Sequence, residues 1–551
     1  MNNSTSAVSI TGSGFPWLLA VILLPIIGGL VVAFFKNNPH TAKLLAIGIS
    51  IVEFALTIVV LFNFHASGAR IQLSGSAEWI ASFGVHLSFG VDGIALVMLL
   101  MVGLLTPIVL GASWEEKLPE GRSMAGFFSL VMVLEGLVMA VFAATDVFLF
   151  YVLFEIMLIP MYFLIGGYGG PGLRRQYAAV KFFLYSFLGG LLMLASAIGC
   201  WAYAEQVTGT GTFDWATLTT VVSHAPLSTQ IWLFMGFFFA FAIKAPLVPF
   251  HTWLPDATQE SPVGVGVLLV GVLDKVGIFG FLRYCLPLFP AASKTLAPLL
   301  LILSVIGVLY GSLVAAGQSD MKRFVAYVSI AHFGFMGIGV FAFTAQSEAG
   351  AVTYMVNHSI STGMLLVVIG MIAVRGKSNR VEDYGGMAKV TPLLAGCFFL
   401  AGLTTLSLPG TNSFISEFLV LLGSYQTEPV YAILATVGMV LAALYVLWLF
   451  QRIMQGPLRG NAFAGLINGG GANEPLVGVT GGPGAAADPV AKVKSVIKDL
   501  SGRERLVLAP MVILILVLGF YPKPLLDVVN PSVGATLSSV GVSVAATQGG
   551  N

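Results

Sequence analysis

Six ionisable residues stand inside long apolar runs where the local composition gives no reason for them: Glu155, Lys244, Lys275, His332, His358 and Glu417. Glu155 falls in Phe-Tyr-Val-Leu-Phe-Glu-Ile-Met-Leu-Ile-Pro, Lys244 in Phe-Ala-Ile-Lys-Ala-Pro, and Lys275 in Val-Leu-Asp-Lys-Val-Gly-Ile-Phe-Gly. Two acids, two amines and two imidazoles are groups that exchange protons near neutrality once burial has moved them. The chemistry on offer is proton transfer. Placing such side chains at bilayer depth costs at least about 2.5–3.5 kcal/mol each, so a chain that keeps several gains something from them.

Glu155 and Lys244 invite an intramembrane pair. The plainer reading is a static salt bridge, and the sequence beside Lys244 argues against it. Pro246 cannot donate to the Ala242 carbonyl, nor Pro249 to that of Ala245, so the helix breaks there and its freed carbonyls need other partners. Lys275 lies among Gly264, Gly266, Gly271, Gly277 and Gly280, which allow close helix approach. Asp274 precedes it but points to another face, and its role is open between a supporting or packing residue and a functional one. His332 and His358, with Ser329, Asn357, Ser359, Ser361 and Thr362 nearby, form a polar stripe. Imidazole accepts on one nitrogen while donating on the other, so such a stripe can pass a proton on. Glu417 follows a second break at Pro409-Gly410. Glu53 and Glu135 are also buried acids, with a weaker claim to function.

The elements that must carry these residues are transmembrane helices. The chain has 551 residues, 57% of them hydrophobic and only 9% charged, against about 25% charged in a soluble domain. A soluble fold is excluded. Apolar runs of roughly 20 residues, the length that crosses a bilayer, occur at 15–35, 43–63, 93–113, 123–143, 146–166, 178–200, 230–248, 262–284, 297–317, 321–343, 351–374, 392–425, 430–451 and 506–522. The expectation is an all-α polytopic protein of about fourteen spans, with spans 7 and 12 broken. Paired broken helices point to inverted repeats, here spans 4–8 and 9–13. The expected units are 1–122 (spans 1–3), 123–287 (first repeat), 288–455 (second repeat), a Gly-rich cytoplasmic insert at 456–505, and 506–551 (span 14 and a tail).

Charge sets the orientation. Lys36/Lys43, Lys117/Arg122, Arg174/Arg175/Lys181, Lys322/Arg323, Arg375–Lys389 and Arg452–Arg505 fall in loops on one side, whereas the other side holds Arg70, Arg283, Lys294 and Lys523. The basic side is cytoplasmic, and both termini face away from it. The start lacks a positive n-region, so no cleaved secretory signal is expected. Residues 64–92 suggest a small non-cytoplasmic hairpin. Gly469–Gly484 reads as a flexible loop, and Pro489–Leu500 as a short surface helix. Asn2 and Asn3 match a glycosylation pattern by chance. Cys200, Cys285 and Cys397 lie far apart in apolar runs, without C-x-x-C spacing. A net charge of +1 offers no field for nucleic acid. No nucleotide-binding loop is present.

Several fragments together carry a family resemblance. They are Glu155 in Phe-Glu-x-Met-Leu-Ile-Pro-Met-Tyr, Lys244-Ala-Pro followed by Pro-Phe-His-Thr-Trp-Leu-Pro-Asp-Ala, Lys275 before Val-Gly, Asp320-Met-Lys-Arg-Phe through His332-Phe-Gly, Asn357-His358-Ser359, and Pro409-Gly410 to Glu417. The chain resembles the antiporter-like membrane subunits of respiratory complex I, in the Mrp-type antiporter superfamily. Glu at position 417 is the mark of the chain M branch, where chains L and N and the antiporter subunits carry Lys. Thr258-Gln259-Glu260 departs from the pattern, since relatives often have His after Asp-Ala, and this tempers a role for the loop after Asp256. The insert at 456–505 has no counterpart in the family.

The resemblance implies a non-redox, proton-translocating subunit of NADH:quinone oxidoreductase in a bacterial plasma membrane. It would be flanked by chains L and N, driven by redox chemistry elsewhere, and carry no flavin, iron–sulfur cluster or direct NADH or quinone site. The alternative is a subunit of a multi-subunit sodium/proton antiporter. Glu155 and Lys244 would act as a switch: when the carboxylate moves off, desolvation favours the neutral amine. The proton then passes to Lys275, His332, His358 and Glu417. Moving one charge against about 180 mV costs roughly 4 kcal/mol, and roughly a thousandfold swing in proton affinity supplies as much.

Overall fold

The computed structural model describes residues 9–10, 16–464 and 489–542. The expected loop at Gly469–Gly484 and the Asn2/Asn3 pattern lie outside the described residues. Among these, eleven helices are long and apolar enough to cross a membrane, or twelve if Gly502–Phe520 and Lys523–Ser539, which meet at 70°, form one crossing. Two shorter apolar helices, Trp17–Ala33 and Pro392–Thr405, complete the set. Every expected span therefore has a helix or a broken pair beneath it. In chain order, span 1 is Trp17–Ala33, span 2 Pro39–Asn63, span 3 Gly93–Ala112, span 4 Met124–Ala143, span 5 Val147–Tyr168 and span 6 Arg174–Thr208. Span 7 is Leu227–Lys244 with Trp253–Glu260, span 8 Val263–Leu288, span 9 Pro290–Ala316, span 10 Met321–Phe341 and span 11 Ala345–Gly376. Span 12 is Pro392–Thr405 with Asn412–Thr427, span 13 Pro429–Met454, and span 14 Gly502–Phe520. Spans 8 and 10 are wholly enclosed by their neighbours. They form the polar axis of the molecule.

The breaks are where this fold departs from straight helices, and each has a local cause. Span 7 stops because Pro246 lacks an N–H. The Ala245 N–H donates to Phe241 (2.7 Å), and Leu247 N–H closes back on Ala242 (2.9 Å). Trp253 Nε1 donates to the Ile243 carbonyl at 3.0 Å. The Ala242 carbonyl, expected to need a side chain or water, is thus satisfied by the backbone beyond the proline. The Val248–Pro249 peptide in this connection is cis. Span 12 ends in the same way: Leu406 N–H donates to Gly402 and Leu408 N–H to Leu403, both at 3.0 Å. Here the reversal takes Ser407 to φ +58° and Gly410 to +94°.

Two irregularities were not anticipated. Span 5 is interrupted at Met157, three residues before Pro160, which cannot donate to the Ile156 carbonyl. Span 8 carries π-turns at Leu269–Leu273 and Phe281–Cys285, with Lys275–Gly280 between them.

The hairpin before span 3 is present as β2 (Gln72–Ile80) and β3 (Val85–Val91), with β1 (Ser9–Ile10) adding an antiparallel edge that the sequence did not suggest. Asp92 then caps span 3 through the Ala95 N–H at 2.8 Å. On the basic side Pro489–Val496 is helical as expected. Arg375 of span 11 forks onto Glu504 with two bonds of 2.8 Å, and Asp499 caps the start of span 12 through Leu393 and Leu394. The end of the insert is tied down on spans 11, 12 and 14. The tail after Pro522 is a helix, Lys523–Ser539, packed on spans 3 and 11.

Candidate functional site

Lys244 is the last residue of its helix and is fully buried. Its ammonium sits between the rings of Phe154 (5.4 Å) and Phe182 (5.2 Å), and Nζ has no hydrogen-bond partner. Cation–π contacts of this sort contribute about 0.5–2 kcal/mol, less than the desolvation they face. Glu155, half-buried just ahead of the Met157 interruption, makes no direct ion pair with it, and Oε1 is likewise unpartnered. Gly190 on span 6 makes space for this carboxyl: a Cβ there would lie 1.4 Å from Oε1. The expected pair is therefore present as neighbours, held apart rather than bonded.

Asp274, whose role the sequence leaves open, lies near both lysines. Both its oxygens are buried and unpartnered, and it is the acid whose charge acts on Lys244 and on Lys275 alike. The Lys244 charge is felt by Asp274 and by Glu155. Gly277 lets span 8 press against the break in span 7, since a Cβ there would meet the Ala245 nitrogen at 2.4 Å. A bulkier residue would push the two lysines apart.

Beyond Lys275 the groups touch. Lys275 Nζ donates to the Val270 carbonyl, inside the first π-turn, at 2.6 Å and to His358 Nδ1 at 2.7 Å, and it lies 4.6 Å over the Phe333 ring. His358 and His332 meet edge to face with centroids 5.2 Å apart. The contacts put His358, not His332, next to Lys275, which reverses the order expected from the sequence. His358 Nε2 has no hydrogen-bond partner among the described residues, and the His332 ring lies against the Thr405 backbone at the second break.

The residue missed from sequence is Tyr354. It is fully buried, its ring is 5.5 Å from that of His332, and its hydroxyl donates to Glu417 Oε1. The signal was available, because Tyr354 precedes His358 by four residues and so shares its face of span 11. Around Glu417 the second part of span 12 is clamped by amides. Asn357 Nδ2 donates to the Asn412 carbonyl (2.9 Å) and Ser416 Oγ (2.8 Å), while Asn412 Nδ2 returns to Asn357 at 3.2 Å. Thr404 of the first part donates to Asn412 Oδ1 at 2.7 Å. Thus Lys275, His358 and His332 are brought together, Glu417 stands beyond them on the far side of Tyr354, and Glu155 and Lys244 lie on the other side, near Asp274.

Other buried charges lie apart from this line. Glu53 and Glu135 face each other between spans 2 and 4, with no cation beside them among the described residues. Arg283 pairs with Asp92 at 2.9 Å in an almost fully enclosed bridge, joining the ends of spans 8 and 3. Asp256 holds both Lys181 and Arg323 at 2.7 Å, so that residue ties span 7 to spans 6 and 10.

Residues 144–442 match the family described as NADH:quinone oxidoreductase/Mrp antiporter, transmembrane. The chain is 41% identical to NADH-quinone oxidoreductase subunit M of Mycobacterium tuberculosis, over 96% of this chain and 95% of the relative. A chain of respiratory complex I from Thermus thermophilus with bound NADH superposes with a TM-score of 0.80 at 29% identity, covering 95% of this chain and all of that one. A chain of the Mrp complex from Dietzia shares the fold, with a TM-score of 0.75 at 19% identity, over 94% of this chain and 52% of that one.

Proposed function

The chain belongs to the NADH:quinone oxidoreductase/Mrp antiporter family of transmembrane proteins, and from that premise we propose that it is a proton-pumping subunit of a bacterial NADH:quinone oxidoreductase, of the chain M type. It is a multi-pass membrane protein that performs no redox chemistry itself. The relay begins at Glu155, Lys244 and Asp274, crosses Lys275, His358 and His332, and ends at Glu417. The observation that carries this reading is the direct bond from Lys275 to His358, with His332 stacked edge-on behind it.

Lys244 is the switching element. A buried ammonium without a hydrogen bond is costly, so its protonation depends on whether Glu155 and Asp274 approach. Redox events in other subunits would move that balance and push the proton to Lys275. The matching backbone closures at Leu247 and Leu408 support the view that 123–287 and 288–455 are inverted copies. The loops rich in Lys and Arg face the cytoplasm and both termini the opposite side. Chains L and N of the same complex are the proposed flanking partners. The antiporter reading is weaker, because the likeness to the Dietzia chain is one of fold alone, whereas the mycobacterial relative matches at 41% identity over nearly the whole of both chains.

The test is the assembled complex in proteoliposomes. Lys244→Ala and Glu417→Ala should keep uncoupled electron transfer to quinone but lower the protons moved per electron. Wild-type stoichiometry in both variants would overturn the relay, and sodium-dependent flux would favour the antiporter reading.

A further inference from the structure

Between the imidazoles and Glu417 the relay has a gap that neither histidine closes. We propose that the Tyr354 hydroxyl is the proton-carrying link across it, so that the route runs His332, Tyr354, Glu417. This deepens the relay reading and rests on it.

Tyr354 is the side chain that touches both ends. Its hydroxyl donates to Glu417 Oε1, and its ring lies 5.5 Å from the His332 ring and 6.4 Å from that of His358. Ser407, at the second break, lies against both the Tyr354 and Glu417 oxygens rather than between the imidazoles and the acid; the remaining polar groups at this point are committed elsewhere. Asn357 and Asn412 bond each other, and Ser416 Oγ donates to Thr353 Oγ1 at 3.3 Å. Side-chain amides, moreover, do not both accept and release a proton in passing. A phenol does: it has one O–H to give and oxygen lone pairs to receive. Burying a hydroxyl costs free energy unless it is bonded, and phenylalanine would fill the same volume. A tyrosine here is explained by what its oxygen does.

The step balances. A proton on a His332 nitrogen moves to the phenol oxygen as the phenol's own proton moves to Glu417 Oε1. One N–H bond and one O–H bond break, and two O–H bonds form. Imidazolium becomes imidazole, carboxylate becomes carboxylic acid, and the phenol is neutral before and after. Rotation of the hydroxyl about its C–O bond resets it. His332 lies against the Thr405 backbone at the second break, so the transfer requires its ring to turn from there toward the hydroxyl.

The experiment compares Tyr354→Phe, Glu417→Gln and Tyr445→Phe in the whole complex in proteoliposomes, reading protons moved per electron alongside uncoupled electron transfer. Tyr445 is a second buried phenol near Glu417 and serves as the control. Tyr354→Phe should lose as many protons per electron as Glu417→Gln, with uncoupled electron transfer intact and Tyr445→Phe unchanged. Full stoichiometry in Tyr354→Phe while Glu417→Gln is defective would overturn the link and leave the relay standing. Full stoichiometry in Glu417→Gln would sink the relay itself, and the link with it. If Tyr354→Phe does not assemble, 3-fluorotyrosine at position 354 keeps the shape and makes the hydroxyl more acidic. A coupled rate changed by twofold or more then supports the link, and an unchanged rate overturns it.

Discussion

The two broken helices end alike in backbone and differ in what they do with charge. In each, one N–H closes back on the carbonyl four residues earlier and another on the carbonyl five earlier, at Phe241 and Ala242 in the first and at Gly402 and Leu403 in the second. By that register Lys244 corresponds to Thr405. The first break thus has its charge at the end of the incoming helix, between two phenyl rings and without a hydrogen bond. The second has Glu417 in the outgoing helix, bonded to a tyrosine within an amide clamp. An unsatisfied buried charge is held by little and responds to any carboxylate that approaches. A hydrogen-bonded acid in a tight network is a fixed acceptor. The same fold element can serve as a switch or as a receiver, depending on which side of the break carries the ionisable group.

Four substitutions would break or sharpen this contrast. Lys244→Met should lower the protons moved per electron as Lys244→Ala does, while leaving the complex as stable as before, or more so, because an unpaired buried charge gives way to an apolar chain of similar volume. A large fall in thermal stability would mean that Lys244 is held after all. Asn412→Leu should do the reverse, costing about 2–4 kcal/mol as several buried groups lose their partners; thermal unfolding in detergent measures it. Gly190→Ala drives a methyl into the Glu155 carboxyl. It should cost about 1–3 kcal/mol and slow coupled turnover several-fold, with uncoupled electron transfer unchanged. The smallest effect is Ser407→Gly: it relieves a left-handed backbone at the second break but removes the hydroxyl against Glu417 and Tyr354, so thermal unfolding should shift by less than about 1 kcal/mol.

The spans were legible because twenty apolar residues in a row have few uses, and the breaks at Pro246 and Pro409 because proline removes a donor. What escaped was set by packing between helices. Asp274 has an open role when read from its own helix, yet two lysines from different spans converge on it. Tyr354 looked like one aromatic residue among many until span 12 brought Glu417 to its hydroxyl. The first π-turn of span 8 has no proline to announce it; the second is followed by Pro287, which cannot donate to the Arg283 carbonyl. Arg283 read as a loop residue and is instead enclosed with Asp92, a pairing across distant sequence that periodicity does not reveal.

Lys275 bonds a carbonyl of the π-turn that precedes it, as well as an imidazole. The ammonium therefore acts as a peg in a slot of its own helix, where the ordinary ladder is widened. When the amine gives up its proton, the charge-assisted bond to Val270 weakens and the slot loses its peg. Occupancy by a single proton is in this way written into the winding of span 8, and a probe of amide exchange at residues 269–274 would read it without seeing the proton at all.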